Sequence, residues 1–305
     1  MKLKDEATMT QDSNKTLKIG FPSGSLQEAT FRLFDRAGYK IRLPSRSYEP
    51  DIDDRELTGL MFRAQEIPHY VERGILDVGI TGKDWVEEWE ADVEEIGELR
   101  YSKATSGPLR WVIAVPEDSP IQTVQDLQGK RIASELVGVT RRFLADRGVE
   151  AEVEFSWGAT EVKAGIPGVA DAIVDGTETG SSLRANRLRI VEVMLESTTR
   201  FVANKTSWGD EWKRQRATNL YTLLLGALEA DSKVGLKMNV PREQLEAVMA
   251  ILPALHAPTV SNQADEAWVA VETIADESIV RDLIPQLKRS GAEGIIEYPL
   301  NKVVY

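Results

Sequence analysis

The chain has 305 residues, of which 42% are hydrophobic and 28% charged, and its formal net charge is −12. A chain of this length can bury a sizeable core, and we expect it to form two or three domains. The absence of cysteine excludes disulfides, thiolate nucleophiles and cysteine-ligated metal sites. The acidic balance argues against a nucleic-acid-binding protein, and the lack of an apolar run of about 18 residues argues against a membrane-spanning one.

The N-terminal segment is polar and lacks the apolar stretch of a secretory signal, so we predict a disordered extension over residues 1–15 and a cytoplasmic protein. After it, strand-like and helix-like segments alternate. The pattern predicts a strand over residues 16–22 and a helix over 25–38, because Gly38 is a residue type that commonly ends a helix. Such alternation is typical of βα units in an α/β domain.

The alternation restarts near Gly107, which predicts a second lobe over residues 107–194. The first lobe is predicted to comprise residues 16–106 and about 195–230, because a long helix at 209–230 follows the second lobe and can pack back on the first. Such a crossing predicts a two-lobed body with a hinge, similar to periplasmic-type solute-binding proteins.

The last part of the chain, residues 231–305, changes to the order βαββαβ, which is typical of a small ferredoxin-like domain. The predicted fold class is therefore α/β, with a two-lobed periplasmic-binding-protein-like catalytic body and a separate C-terminal ferredoxin-like (ACT-like) domain. By fold analogy alone, this tail is as typical of an oligomerisation device as of a regulatory domain.

The stretch ADAIVDGTETGSSLRAN, at residues 170–186, joins a buried strand to a turn rich in hydroxyl groups. Backbone N–H groups, several hydroxyls and the start of a helix then converge at 179–182, as in sites that hold a phosphate. The alternative is that these residues only cap the helix, where threonine, serine and glycine are favoured. Asp175 and Glu178 would repel a phosphate, but they suit a ligand that also carries sugar hydroxyls or Mg²⁺.

Three blocks of the sequence resemble the ATP phosphoribosyltransferase family. GATEVKAGIPGVADAIVDGTETGSSLRAN resembles its phosphoribosyl-pyrophosphate-binding signature, LKIGFPSGSLQEAT its N-terminal strand, turn and helix, and FRAQEIPHYVERGILDVGITGKDWV its arginine-to-glycine block. The βαββαβ tail resembles the regulatory domain of the long form of the family. The resemblance therefore covers nearly the whole chain.

The resemblance implies transfer of phosphoribose from phosphoribosyl pyrophosphate to N1 of the adenine of ATP, with release of pyrophosphate and with Mg²⁺ as cofactor. This is the first step of histidine biosynthesis, and the long form implies inhibition by histidine. A homo-oligomer, from dimer to hexamer, is also implied, with no nucleic-acid or membrane partner. The reaction passes through an oxocarbenium-like state without a covalent nucleophile, so positioning and charge neutralisation would supply most of the rate.

The same resemblance implies roles for single residues. Asp175 would lie near the ribose hydroxyls, Arg63 would face the diphosphate, and Glu161 matches the acidic residue that opens the signature. The alternative for Arg63 is a salt bridge at the surface or between domains. Substrate contacts are further expected at strand ends and in the phosphate loop, where solvated loops and helix caps are the alternatives: Ser23, Gly24, Ser25, Arg46, Thr81, Gly82, Lys83, Asp84, Glu178, Thr179, Gly180, Ser181, Ser182 and Leu183. By the same match histidine would bind near Leu255, Thr259, Ile274 and Gly294, and no residue is assigned as a metal ligand.

Three features depart from the family pattern. Ser25 stands in place of an arginine in the first turn, so a charge that meets phosphates must come from elsewhere. The spacing from Glu161 to Gly168 is one residue longer than usual, and Gly176 stands where the signature has an aliphatic residue. Two other functions therefore stay open, a two-lobed solute-binding protein and a non-catalytic nucleotide-binding regulatory paralogue.

Overall fold

The computed structural model describes residues 15–101, 107–255 and 257–305. The extension predicted over residues 1–15 thus lies outside the described residues, apart from Lys15. Within the described ranges, no helix is both long enough and apolar enough to cross a lipid bilayer.

Contacts divide the chain into two compact units. The larger unit contains residues 39–221 and the N-terminal segment up to Arg32, and the smaller contains residues 33–38 and 222–305. The strands and helices that begin the chain are β1 (Leu17–Ser23), α1 (Gln27–Ala37), β2 (Ile41–Arg42), β3 (Asp51–Ile52), β4 (Leu57–Arg63), α2 (Ile67–Glu72), β5 (Val78–Gly82), α3 (Lys83–Trp89) and β6 (Glu94–Leu99). They are followed by β7 (Leu109–Pro116), β8 (Arg131–Ser134), α4 (Val137–Ala145), β9 (Glu152–Phe155), β10 (Ala172–Thr177), α5 (Ser181–Ala185), β11 (Leu188–Ser197), β12 (Thr199–Ala203), α6 (Lys205–Gly209) and α7 (Glu211–Glu229).

The first lobe of the larger unit is a five-stranded sheet in the order β4-β1-β5-β12-β6. β1 is parallel to β4 and β5, whereas β12 is antiparallel to β5 and β6. Helix α2 packs on this sheet through Ile67 and Val71, which are fully buried together with Leu76 and Val202. Because β1, β4 and β5 run parallel, their carboxyl ends meet at one edge of the sheet.

The second lobe is a five-stranded sheet in the order β11-β7-β10-β8-β9. β8 is parallel to β9 and β10, and β7 is antiparallel to β10 and β11. The core on one face of this sheet contains Ile113 and Val115 of β7 with Ile132 of β8 and Val174 of β10. The carboxyl ends of β8 and β10 therefore lie side by side.

The chain passes between the lobes twice, after β6 and at Thr198 between β11 and β12. The returning strand β12 inserts between β5 and β6 and completes the first sheet. Helix α7 then packs on the first lobe, since the Tyr221 ring stacks on Phe201 with centroids 6.3 Å apart and its hydroxyl donates to the Glu98 carbonyl at 3.1 Å.

The smaller unit carries β13 (Lys233–Pro241), α8 (Leu245–Met249), β14 (Thr259–Asn262), β15 (Trp268–Asp276), α9 (Glu277–Arg289) and β16 (Glu293–Pro299). The four strands form an antiparallel sheet in the order β14-β15-β13-β16. Its core contains Leu236, Met238, Val271 and, from α9, Leu287. The order βαββαβ is the one predicted, so the α/β class and the ferredoxin-like C-terminal domain are confirmed.

Candidate functional site

A cleft of about 330 Å³ opens within the larger unit where the strands of both lobes end. Ligands bind in such crevices of α/β proteins because loops and free backbone groups gather beyond the carboxyl ends of parallel strands. The residues that line it are Ser23, Gly24, Ser25, Leu26, Arg63, Ala64, Gln65, Gly82, Asp84, Trp85, Tyr101, Gly107, Leu109, Trp111, Glu135, Asp175, Gly176, Glu178, Ser197, Thr198 and Thr199.

The first lobe contributes a flexible cation and a turn of small residues. Ser23 ends β1 and pairs in register with Arg63, the last residue of β4. Parallel pairing of the two strands therefore brings the Ser23–Ser25 turn beside the exposed Arg63 side chain. Within the described residues no carboxylate forms an ion pair with Arg63, so the salt bridge considered from sequence is not seen and its guanidinium is available to an anionic ligand.

The second lobe contributes carboxylates. Asp175, near the end of β10, is largely buried, and this burial raises its pKa to about 6, with smaller contributions from the negative charges of Glu161 and Glu135. The Gly176 backbone N–H donates to Asp175 Oδ1 at 2.9 Å, and this hydrogen bond lowers the pKa of Asp175. Burial also raises the pKa of Glu135, against the attraction of Lys163. The cleft thus places an exposed arginine of one lobe and half-buried carboxylates of the other around one space.

The predicted phosphate loop follows β10 directly. Gly180 adopts φ 73°, and its N–H donates to Thr177 Oγ1 at 2.7 Å, which folds the loop back on the strand end. The Thr179 hydroxyl donates to Ser181 Oγ at 3.0 Å, and the Arg184 guanidinium donates to the Thr179 carbonyl at 3.0 Å. No side chain caps the first turn of α5. The N-cap residue of α5 is Gly180, so no hydroxyl group occupies the N-cap position itself.

Several predicted site residues lie together and others do not. Ser23, Gly24, Ser25, Arg63, Gly82, Asp84, Asp175 and Glu178 line the cleft, and the loop 179–182 adjoins it through Glu178. Arg46 is exposed in the loop between β2 and β3 and is not part of the lining. Thr81 is buried and its hydroxyl donates to the Ala64 carbonyl at 2.8 Å, while the Leu183 side chain lies in the core beside Ile173. For Arg46, Thr81 and Leu183, a side-chain contact with a ligand in this cleft is therefore not supported.

Some lining residues are not among the predicted ones. Glu135 directly follows the buried strand β8, as Glu178 follows β10, so the rule that ligands bind at strand ends would have found it. Trp111 lies inside β7, where the sequence pattern predicts that an aromatic side chain belongs to the hydrophobic core. Arg184 was not predicted either. It lies on α5 and does not line the cleft, but its guanidinium brings a positive charge to the loop 179–182.

In the described part of the chain, no three histidine, aspartate or glutamate side chains are grouped so as to hold a metal ion. The carboxylates of Glu135, Asp175 and Glu178 nevertheless line the cleft. Mg²⁺ in enzymes that bind phosphates is commonly held by one or two carboxylates together with oxygens of the substrate. This donor set therefore fits a metal that is shared between protein and substrate.

The residues predicted to hold a regulatory ligand lie in the smaller unit. Leu255 is 42% exposed and precedes β14, Thr259 begins β14, and Ile274 lies in β15 opposite Gly235. Gly294 lies in β16 and adopts φ 56°. β14 and β16 are the two edges of the sheet, separated by three strand spacings, or about 14 Å.

Comparison with known proteins covers both units. A family model described as ATP phosphoribosyltransferase matches residues 63–226, and one described as HisG, C-terminal domain, matches residues 230–302. The ATP phosphoribosyltransferase of Thermodesulfovibrio yellowstonii is 58% identical over 291 residues, which are 95% of this chain and 99% of that protein. The ATP phosphoribosyltransferase of Prosthecochloris aestuarii is 59% identical over 292 residues, 96% of this chain and 99% of its own. A solved structure, the ATP phosphoribosyl transferase (HisG:HisZ) complex from Thermotoga maritima, superposes with a TM-score of 0.61 at 27% identity over 71% of this chain and all of its own.

Proposed function

Because the chain belongs to the ATP phosphoribosyltransferase family, we propose that it transfers phosphoribose from phosphoribosyl pyrophosphate to N1 of the adenine of ATP and releases pyrophosphate. The family assigns it to the transferases and to histidine biosynthesis. The observation that carries the proposal is the cleft itself, in which Arg63 lies on one side and Asp175 and Glu178 on the other, with the loop 179–182 adjoining it after Glu178.

The loop after β10 suits the 5′-phosphate of phosphoribosyl pyrophosphate. Its hydroxyl groups and the uncapped first turn of α5 offer hydrogen-bond donors, and Arg184 adds positive charge where the −12 chain otherwise repels anions. The carry-over of this role to Thr179, Gly180, Ser181 and Ser182 rests on the match to the family signature.

The reaction exchanges one bond at the anomeric carbon of ribose. The bond from adenine N1 to this carbon forms, the bond to the diphosphate oxygen breaks, and the electron pair of that bond leaves with pyrophosphate. Positive charge develops on the ribose ring as the bond breaks, so an ionised Asp175 near the ring would stabilise it and would also accept hydrogen bonds from the ribose hydroxyls. On the other side of the cleft, Arg63 would meet the charge of the departing diphosphate with bidentate contacts.

We also propose that Mg²⁺ enters with the diphosphate. One or two of the carboxylates that line the cleft, Asp175, Glu178 and Glu135, would hold it together with oxygens of the diphosphate. When bound, the metal neutralises charge on the leaving pyrophosphate. The protein residues contribute separately, because they orient the two substrates and keep the reacting atoms in line.

For the C-terminal domain we propose binding of histidine as a feedback inhibitor. Thr259 and Gly294 lie on opposite edges of its sheet, about 14 Å apart, so one amino acid does not reach both within a single chain. A site that uses both residues therefore needs two copies of the chain, which fits a homo-oligomer between dimer and hexamer. Since ATP and phosphoribosyl pyrophosphate are metabolites of the cell interior, the proposed location is the cytoplasm.

The test is formation of phosphoribosyl-ATP from ATP, phosphoribosyl pyrophosphate and Mg²⁺, with pyrophosphatase present to draw the reaction forward. The proposal requires product only when both substrates are present, and less product when histidine is added. Product that is insensitive to histidine would leave the tail as an assembly domain. A folded protein that binds the nucleotides without product would instead be a binding relative, and it would direct attention to Ser25 in the first turn.

A further inference from the structure

Asp84 is a buried carboxylate for which the proposed reaction has no use. It is the second residue of helix α3 of the first lobe and is only 2% exposed, although it lines the cleft. Its Oδ2 accepts a hydrogen bond from Trp111 Nε1 at 2.6 Å, and its Oδ1 accepts one from the Trp85 N–H at 3.0 Å. Trp111 belongs to β7 of the second lobe, so this carboxylate joins the two lobes directly.

The close fit around Asp84 leaves it little freedom. A Cβ atom on Gly82 would lie 2.0 Å from Asp84 Oδ1, so the carboxylate occupies the space that any side chain at position 82 would need. The Asp84 N–H also donates to Ser197 Oγ at 3.1 Å, at the point where the chain crosses between the lobes. Asp84 therefore contacts both the second sheet and the returning crossover.

One helical turn further along α3, Glu88 makes a second contact with the second lobe. Its two carboxylate oxygens accept hydrogen bonds from the backbone N–H groups of Gly138 and Val139, at 2.8 and 2.9 Å. These groups belong to the first turn of α4, where N–H groups have no partner within the helix and the helix dipole favours a negative charge. Residues four apart lie on the same face of a helix, so Asp84 and Glu88 face the second lobe together.

A third contact runs in the opposite direction. Arg142 of α4 donates to the backbone carbonyl of Glu87 and lies 3.4 Å from the Glu90 carboxylate. It thus meets the C-terminal end of α3, where the helix dipole favours a positive charge. Along the length of α3, hydrogen-bond acceptors of this helix therefore meet donors of α4 and β7 in the second lobe.

We propose that α3 is an interlobe strut in which Asp84 and Glu88 are positioning residues that fix the width of the cleft. This inference rests on the proposed phosphoribosyl transfer for its effect on rate, although the contacts themselves do not depend on it. Arg63 belongs to the first lobe, whereas Glu135 and Asp175 belong to the second, so the strut sets the distance between the two sides of the site. A lobe shift of about 1 Å is enough to cost about a hundredfold in rate when reacting groups must be held in line.

The experiment uses the full-length protein with substitutions in the strut. Asp84→Asn and Trp111→Phe each weaken the first contact, and Glu88→Ala removes the second. Glu87→Ala is the matched control, because the Glu87 side chain forms an ion pair with Lys83 on the same helix face, at 3.3 Å, and the substitution retains the backbone carbonyl that Arg142 contacts. Each strut variant is expected to lower kcat by about tenfold or more with little change in KM, whereas the control stays within about twofold of the parent protein.

A double-mutant cycle separates positioning from direct contact with substrate. If Asp84 acts through Trp111, the variant that combines Asp84→Asn with Trp111→Phe loses no more activity than the worse single variant. If the two losses multiply, Asp84 acts on the substrate itself and the strut is wrong for this residue. Folded single variants that keep parental kcat would also overturn it.

Amide hydrogen exchange supplies a readout that needs no activity. Glu88→Ala should speed exchange of the Gly138 and Val139 amides by about tenfold or more, and Asp84→Asn should speed it as well, because the strut acts as a unit. Unchanged exchange in both variants would sink the proposal. A parent protein that forms no product but shows these exchange changes would contradict the proposed reaction and leave the strut standing.

Discussion

Arg63 is the residue on which the charge balance of the cleft depends most. It ends β4 with an exposed side chain, and within the described residues no ion pair holds it in place. Arg63→Ala should therefore lower kcat by about a hundredfold, as loss of a charged group at a developing negative charge does, while the melting temperature changes little. Arg55→Ala, at another exposed arginine, is the matched control for both measurements. Unfolding of Arg63→Ala with intact specific activity would mean that the side chain has a structural role.

Asp175 gives the site its pH dependence. Burial first, and then the charges of Glu161 and Glu135, raise its pKa from 3.8 to about 6 in the folded protein. The folded state therefore binds the proton more tightly than the unfolded state, and the free energy of unfolding falls as pH rises from about 4 to about 6. For activity the direction is reversed. Because the ionised carboxylate is the form that stabilises charge on ribose, kcat/KM for phosphoribosyl pyrophosphate should fall as pH drops through about 6.

Asp175→Asn separates these two effects. At pH 7.5 the variant should be more stable than the parent by about 1 to 2 kcal/mol, after allowance for partial exposure, because it removes a charge that burial penalises. Below about pH 4 the difference should vanish, since the parent carboxylate is then protonated. Activity should be lost at every pH. Denaturant unfolding at the two pH values measures the stability difference, and initial rates measure the activity. A variant that is less stable than the parent at pH 7.5 would contradict the burial argument.

Asp175 and Arg63 were predicted from their match to the family motifs, and both residues line the cleft. The sequence was not sufficient for Asp84 to be recognised as an interlobe contact. Its partner Trp111 is 27 residues away on another sheet, and no local pattern encodes such a pairing. The Thr81 hydroxyl donates to the Ala64 carbonyl, since a hydroxyl at a strand end can face either the cleft or the neighbouring loop, and the sequence does not show which.

At the scale of elements, the loop between β10 and α5 has a backbone requirement that a substitution can test. Gly180 adopts φ 73°, and a Cβ atom there would lie 2.9 Å from Arg184 Nη1. Gly180→Ala should therefore raise the KM for phosphoribosyl pyrophosphate by about tenfold, because it strains the loop by about 1 kcal/mol and displaces the arginine. Gly129→Ala is the control, because Gly129 also adopts a left-handed conformation but a Cβ atom there would have no neighbour within 4 Å. Equal effects of the two substitutions on KM would show general strain instead of a phosphate contact.

The helices and strands themselves were predicted unevenly. Apolar periodicity and glycines at element ends were enough to predict α1, α7 and the βαββαβ order of the tail. The segment 39–45 has the composition of a strand but forms only Ile41–Arg42, since Pro44 lacks an N–H and Arg46 adopts φ 63°. The segment after Asn186 forms two successive strands, β11 and β12, and each belongs to a different sheet. Sheet membership depends on partners distant in the chain, so local propensity does not determine it.

At the scale of the whole molecule, the proposed inhibition makes a thermodynamic prediction. If histidine lowers the affinity for phosphoribosyl pyrophosphate by some factor, phosphoribosyl pyrophosphate must lower the affinity for histidine by the same factor. Calorimetric titration of each ligand with and without the other measures both factors. Arg63→Ala should leave histidine binding unchanged, because Arg63 belongs to the other compact unit. If neither ligand changes the affinity for the other, the proposed coupling between the two sites is wrong.

The interleaving of the two lobes along the chain also has a consequence for how the protein is made. The second sheet is contained in residues 109–197, whereas the first sheet lacks β12 until residues 199–203 have been synthesised. On the ribosome, the lobe that begins second can therefore finish folding first, and until β12 arrives β5 and β6 have unpaired edges exposed to other chains. Nascent chains that stall before β12 has emerged from the ribosome should accordingly aggregate or recruit chaperones far more than chains that stall after both β12 and α7 have emerged. For this protein a late pause in translation matters more than an early one.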